Sequence, residues 1–118
     1  MTARVLRESD GTVLIATLHV ARTHAERVRG LLGRDSLPPG EALWIPHCRM
    51  VHTFGMAFPI DLVYLDRRLR VRKVVPSVPS ARLSACLGAT SVIELPSGAA
   101  RSLGLARGLQ LRISENDG

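Results

Sequence analysis

Three side chains able to hold a soft metal ion fall within six residues: His47, Cys48 and His52, with Met50 and Met56 close by. On an extended segment Cys48, Met50 and His52 point to one side, a set suited to copper(I) or zinc. A closed zinc site needs four ligands, so the fourth has to come from Cys86 or a carboxylate. The same residues permit thiol chemistry. Cys48 is then the nucleophile, His52 the base and Asp61 the orienting group, with Arg49 beside the thiol to lower its pKa. No glycine-rich oxyanion loop surrounds Cys48, so neither form of catalysis is spelled out. The plainer expectation is that Cys48 and Met56 are packed in the core and that His52 bonds to backbone. His19 and His24 read as surface or strand-edge residues.

Two carboxylates interrupt apolar runs. Asp61 lies in Ile60-Asp61-Leu62-Val63-Tyr64-Leu65, and Glu94 in Val92-Ile93-Glu94-Leu95. An inward-facing carboxylate must be paired, because a lone buried charge is costly. Arg29 or Arg34 is the expected partner of Asp61, and Glu94 is expected to pair with an Arg or to cap a turn. Polar groups set in apolar sequence either satisfy one another or meet a ligand. A ligand site is therefore expected around His52, Thr53, Met56 and Asp61, supported by Arg29 and Glu94.

A third chemistry is electrostatic. Net charge is +6, and all but one of the 16 basic residues are Arg, Lys73 being the single Lys. The densest run is Arg67-Arg68-Leu69-Arg70-Val71-Arg72-Lys73. On a strand it places Arg68, Arg70 and Arg72 on one face, where they could track phosphates or an anionic surface. A solvated, aggregation-resistant strand face is the alternative. Aromatic residues are 3% of the chain, too few for a base-stacking platform. No helix-turn-helix, RNP-type or zinc-knuckle motif accompanies the arginines.

The elements that must position these groups are mostly strands. Ala3–Arg7 and Thr12–Val20 flank Asp10-Gly11, a dipeptide suited to a hairpin turn because both residues tolerate positive φ. Thr23-His24-Ala25-Glu26 forms a capping box, which predicts a helix over residues 24–32 with Ala25, Val28, Leu31 and Leu32 on its inner face. Gly33 is its expected C-cap, and Gly30 within it suggests close approach to another backbone. Ala42–Ile45, Ile60–Leu65, Leu69–Val75, Ser91–Leu95 and Leu109–Ile113 read as further strands. Residues 47–59 are expected to be a structured loop with some strand. Ser97 is expected to cap a short helix over 98–103, and the tail from about Ser114 to fray. The fold class is α+β and mostly β: a small antiparallel barrel-like or sandwich domain with one or two short helices.

Four stretches also resemble the DUF192 family of uncharacterised bacterial and archaeal proteins. Glu26–Arg34 is similar to its R-x-R/K-G-L-M-x-R helix, and His52-Thr53-Phe54-Gly55-Met56 to the H-T-F-G-M form of its central loop. Phe58–Asp66 is similar to its P-L/I-D strand, and Glu94-Leu95-Pro96-Ser97-Gly98 to its E-L-P-A-G turn. In order and spacing the likeness spans residues 20–113. Gly108-Leu109 stands where the family has Gly-Asp before its last strand, and many members carry W-M-K-N-T in place of the His52 loop. If both loop types serve one function, His52 is not an indispensable base. The resemblance implies a compact β-rich fold with some helix and no established activity, substrate or cofactor.

The 118 residues suit one domain, residues 1–118, with enough chain for a core. Two cysteines far apart make neither a disulfide framework nor a C-x-x-C pair. No run is long enough to span a bilayer, and no signal-cleavage pattern follows Val20. The expectation is a soluble cytoplasmic monomer without an identifiable cofactor. It is expected to act as a binding or accessory module for a small molecule or protein rather than as an enzyme. Metal or thiol catalysis and nucleic-acid binding are the alternatives.

Overall fold

The computed structural model describes residues 2–116. Among them are nine strands and two short helices. The Asp10-Gly11 hairpin joins β1 (Thr2–Arg7) to β2 (Val13–Val20). Asp10 Oδ1 accepts from the Thr12 amide at 3.0 Å, and its carboxylate receives the Arg7 guanidinium at 2.8 Å. A crossover carrying α1 (His24–Arg29) leads to β3 (Glu41–Pro46), which pairs parallel to β2. The sheet, expected to be mostly antiparallel, is so except for this one parallel pair. A parallel neighbour needs a long connection, and residues 21–40 provide it.

The remaining strands are β4 (Met50–His52), β5 (Ile60–Leu65), β6 (Val71–Val78), β7 (Leu83–Ala85), β8 (Ser91–Pro96) and β9 (Leu111–Glu115), with α2 (Ala99–Ser102) between the last two. Seven strands form one sheet in the order β6-β5-β8-β3-β2-β1-β9, and β4 and β7 form a separate two-stranded ribbon. The large sheet is not closed into a barrel. Its edges meet at one bridge, Arg70 with Gln110, reinforced by the Val71 amide donating to the Leu109 carbonyl at 2.9 Å.

Strands β5 and β8 are buried on both faces, which is why they read as near-continuous apolar runs. One face packs with Ala3, Val5, Ile15, Leu18, Val63 and Ile93 beneath α2. The other face carries Leu43, Ile45, Leu62, Tyr64 and Val92, covered by Leu31, Leu37 and Val51 from the crossover and the ribbon. Tyr64 Oη donates to Ser84 Oγ at 3.0 Å, which ties the ribbon to the sheet.

Local chemistry explains where elements differ from the sequence reading. The Thr23–Glu26 capping box forms, but α1 stops at Arg29 rather than residue 32. Gly30 takes φ +53, where a Cβ would be strained, and turns Leu31 into the core. Val28, expected on the inner face, is 60% exposed in consequence. The strand expected from Leu69 begins at Val71, because Leu69 sits at φ +63 in the turn. Arg68 is therefore a turn residue whose amide donates to Asp66 Oδ1, and the expected three-arginine strand row is broken. Gly98, not Ser97, is the N-cap of α2, and Ser97 Oγ instead bonds Ser77 Oγ at 2.6 Å. Ser114 and Glu115, in the tail expected to fray, pair with Arg4 and Ala3. Asp117 and Gly118 lie outside the described residues.

Candidate functional site

A cavity of about 350 Å3 opens on the face of the sheet covered by the crossover. Its walls come from three places. The α1 turn supplies His24, Arg27, Val28, Arg29, Gly30, Leu31 and Leu32. The end of β3 and its exit supply Ile45, His47 and Cys48, and β4 with the following loop supplies Met50, Val51, His52 and Met56. Glu94, on β8, also lines it and is 3% exposed.

Register explains how Glu94 comes to lie there. It is opposite Leu43 on β3 and Leu62 on β5, both in the core on the crossover side. Directly opposed residues share a face, so the carboxylate points toward the crossover. Glu94 Oε1 is buried and has no hydrogen-bond partner among the described residues. Among the described residues it makes no ion pair either. Burial pushes its carboxyl up to about 7, only partly opposed by the backbone N–H of Leu31. A Cβ on Gly30 would stand 3.0 Å from Oε1, so glycine leaves room for the carboxylate.

The chain reverses direction after β3 through His47, whose φ is +55. That turn lets the Cys48 amide donate to the Thr90 carbonyl at 3.0 Å. The Cys48 thiol donates to the Met50 carbonyl at 3.2 Å, and burial pushes its pKa up. A nucleophilic cysteine needs the opposite shift. His52 lines the cavity and is exposed, its ring 5.8 Å from that of Phe54.

The structure divides the expected ligand set. His52, Met56, Arg29 and Glu94 line one cavity. Asp61 does not join them. It pairs with Leu95, one residue beyond Glu94, and so faces the other side of the sheet. It has no arginine partner there: Oδ1 accepts from the Ser77 amide at 2.8 Å and Oδ2 from the Ala100 amide at 2.9 Å. Arg29 instead donates from Nε to the Leu32 carbonyl at 3.1 Å.

Thr53 is likewise a structural clamp rather than a cavity residue. Its hydroxyl donates to the Pro79 carbonyl at 2.6 Å and accepts from the Arg82 amide at 2.9 Å. Thr53→Val removes both bonds while keeping shape, with an expected loss of about 2–3 kcal/mol in urea denaturation. A loss below about 0.5 kcal/mol would show that the clamp is dispensable.

The metal reading of His47, Cys48 and His52 is not supported. All three line the cavity, yet among the described residues no three His, Cys, Asp or Glu side chains converge as a metal-binding group. Cys48 lies outside the ribbon strand, so strand alternation does not align its thiol with His52. His19, expected at a strand edge, bonds Glu41 at 2.6 Å, and His24 belongs to the cavity wall. Arg27, Val28, Gly30 and Leu31 were not legible as cavity residues. The one pointer was a glycine inside a well-capped helix.

A small β-rich domain with a single buried acid under an α1 crossover is what these observations define. The chain belongs to the DUF192 family, described as Uncharacterized ACR, which it matches over residues 5–113. No curated protein matches it. Two crystal structures share the fold. One is a protein of unknown function from Novosphingobium aromaticivorans, 23% identical, covering 95% of this chain and 84% of that one, with a TM-score of 0.80. The other, from Sinorhizobium meliloti, is provisionally assigned as a transcription regulator. It is 18% identical and covers 95% of this chain and 92% of that one, with a TM-score of 0.82. No helix among the described residues is long and apolar enough to cross a membrane.

Proposed function

We propose that this protein is a binding module whose ligand site is the cavity floored by Glu94. The observation that carries this reading is the unpartnered Oε1 of a 3%-exposed carboxylate. Native proteins rarely leave a buried polar atom unsatisfied, because the desolvation cost is not returned. An occupant that donates a hydrogen bond removes that cost. The wall is largely apolar, from Leu31, Ile45, Val51 and Met56, and the volume lies in the range of small-ligand sites. Binding without catalysis is the better reading, since burial raises the pKa of the cavity's one thiol, the opposite of what a nucleophile needs.

Native mass spectrometry of gently purified protein tests this. The expected result is a mass excess that disappears on denaturation and is absent from Glu94→Gln. A wild-type protein that carries no excess, and whose cavity amides are unmoved by a fragment panel, overturns it. Nucleic-acid association is the second reading, favoured by the net charge of +6 and by the provisional assignment of the Sinorhizobium meliloti protein. It calls for nucleic acid, rather than a small molecule, in the same preparation.

A further inference from the structure

The cavity is electrically two-ended. At the floor is an acceptor, Glu94 Oε1, that no side chain among the described residues neutralises. On the α1 side stands Arg27, a half-buried guanidinium that also lines the cavity. Among the described residues only its Nη1 is engaged, donating to the Arg22 carbonyl at 3.1 Å. Cys48 lines the same cavity as both charged groups, and Glu94 and Arg27 form no ion pair among the described residues. Apolar Ile45 and Met56 also line the cavity.

Resting on the binding reading above, we propose that the cavity takes a zwitterionic small molecule of the amino-acid type. Its ammonium group meets Glu94 Oε1, and its carboxylate meets the free guanidinium edge of Arg27. A simple carboxylate is a poor occupant, because it would leave Oε1 unpartnered or press an anion against it. A simple amine satisfies the floor but leaves Arg27 unmatched. A neutral apolar molecule satisfies neither end. A buried carboxylate and an ammonium compensate each other where either alone is costly. An arginine fork is the side chain best shaped to take a carboxylate at the other end.

A series of ω-amino acids from β-alanine to 6-aminohexanoate, with hexylamine and hexanoate as single-charge controls, tests the proposal. The readout is the backbone amide NMR spectrum together with the titration of the Glu94 carboxyl carbon. At least one ω-amino acid is expected to shift the Leu31 and Cys48 amides and to bind about tenfold or more tightly than either control. It is also expected to move the Glu94 midpoint down by about one pH unit or more, since an ammonium favours the ionised form. Glu94→Gln and Arg27→Gln should each weaken binding by about tenfold. The Arg27 side chain makes one hydrogen bond among the described residues, so its variant reports on binding independently of the Glu94 variant.

Hexylamine or hexanoate binding in the cavity as tightly as every ω-amino acid overturns the zwitterion assignment while leaving the binding reading intact. So does an upward move of the Glu94 midpoint, which would mark a ligand that accepts a proton-mediated bond from the neutral acid. No response at cavity residues to any probe, together with no retained molecule in native mass spectrometry, overturns both.

Discussion

Replacing Asp61 with Asn is expected to lower the unfolding free energy by about 2–4 kcal/mol without weakening any ligand of the Glu94 cavity. The cost follows from two backbone donors that converge on one buried carboxylate. Between Ile60 and Leu62, the β5–β6 register slips: Ile60 pairs with Val78 and Leu62 with Val75. Pro76 and Ser77 thus oppose a single residue, forming a bulge. Pro76 has no N–H to lose, but Ser77 does, and at φ +49 that N–H donates to Asp61 Oδ1. The second oxygen accepts from Ala100 in the first turn of α2. One side chain therefore fixes both the edge of the sheet and the helix that covers its inner face.

Asparagine keeps a single acceptor and turns its NH2 toward the other N–H, so one bond is lost and two donors oppose each other. Hydrogen bonds to a charged group contribute about 1.5–3 kcal/mol each, and Asp61→Ala, which forfeits both, should cost about 3–5 kcal/mol. Urea denaturation gives the magnitude. Hydrogen exchange at Ser77 and Ala100 gives the location, with protection falling there first. A loss below about 1 kcal/mol, or unchanged protection, would mean that the amides find other partners.

That Asp61 and Glu94 are both buried acids in apolar strands was legible from local sequence. Their separation by the sheet was not. Alternation within a strand assigns odd and even residues to opposite faces, but it does not say which face of one strand matches which face of its neighbour. That depends on Asp61 pairing with Leu95 rather than with Glu94, a contact between residues far apart in the chain. A one-residue offset thus keeps the two acids apart.

Features with local causes are legible in the sequence. The Asp10-Gly11 hairpin, the Thr23–Glu26 box and strands β5 and β8 each carry their own signal within a few residues. The parallel β2–β3 pair and the β4–β7 ribbon do not. Leu83-Ser84-Ala85 is too short to show a period, and it becomes a strand only because Met50–His52 lies beside it. Gly30 is the instructive middle case. Its cost in a helix was visible from sequence, but its reason, room for the Glu94 carboxylate, was a tertiary fact.

Glu94→Gln is expected to stabilise the unliganded protein above neutral pH, and the direction follows from which state holds the proton. The folded carboxyl titrates at about 7 because burial disfavours its charge, against an ordinary value of 4.5. Below about pH 4.5 both folded and unfolded chains carry the proton, and Glu94 makes stability neither rise nor fall with pH. As pH climbs from 4.5 to 7 the unfolded chain releases its proton first, so the folded state loses ground throughout that window. Above 7 both are ionised and the deficit levels off, on the order of 3 kcal/mol. Glutamine cannot ionise, and its stability should be flat across the same window where this residue is concerned.

The difference between variant and parent should therefore grow from near zero at pH 4.5 to about 2–3 kcal/mol at pH 8, a gain of roughly 6–10 °C in Tm at this chain length. Thermal unfolding at a series of pH values measures it. Parallel pH profiles for the two proteins would show that Glu94 is ordinarily solvated and would remove the physical basis of the cavity's floor. Adding the ω-amino acid that binds best should reverse the trend in the parent alone. An ammonium at Oε1 favours the ionised folded state, so the ligand should raise Tm more at pH 8 than at pH 5. A carboxylate that destabilises the empty protein and stabilises the occupied one is what a site held open for a cation requires.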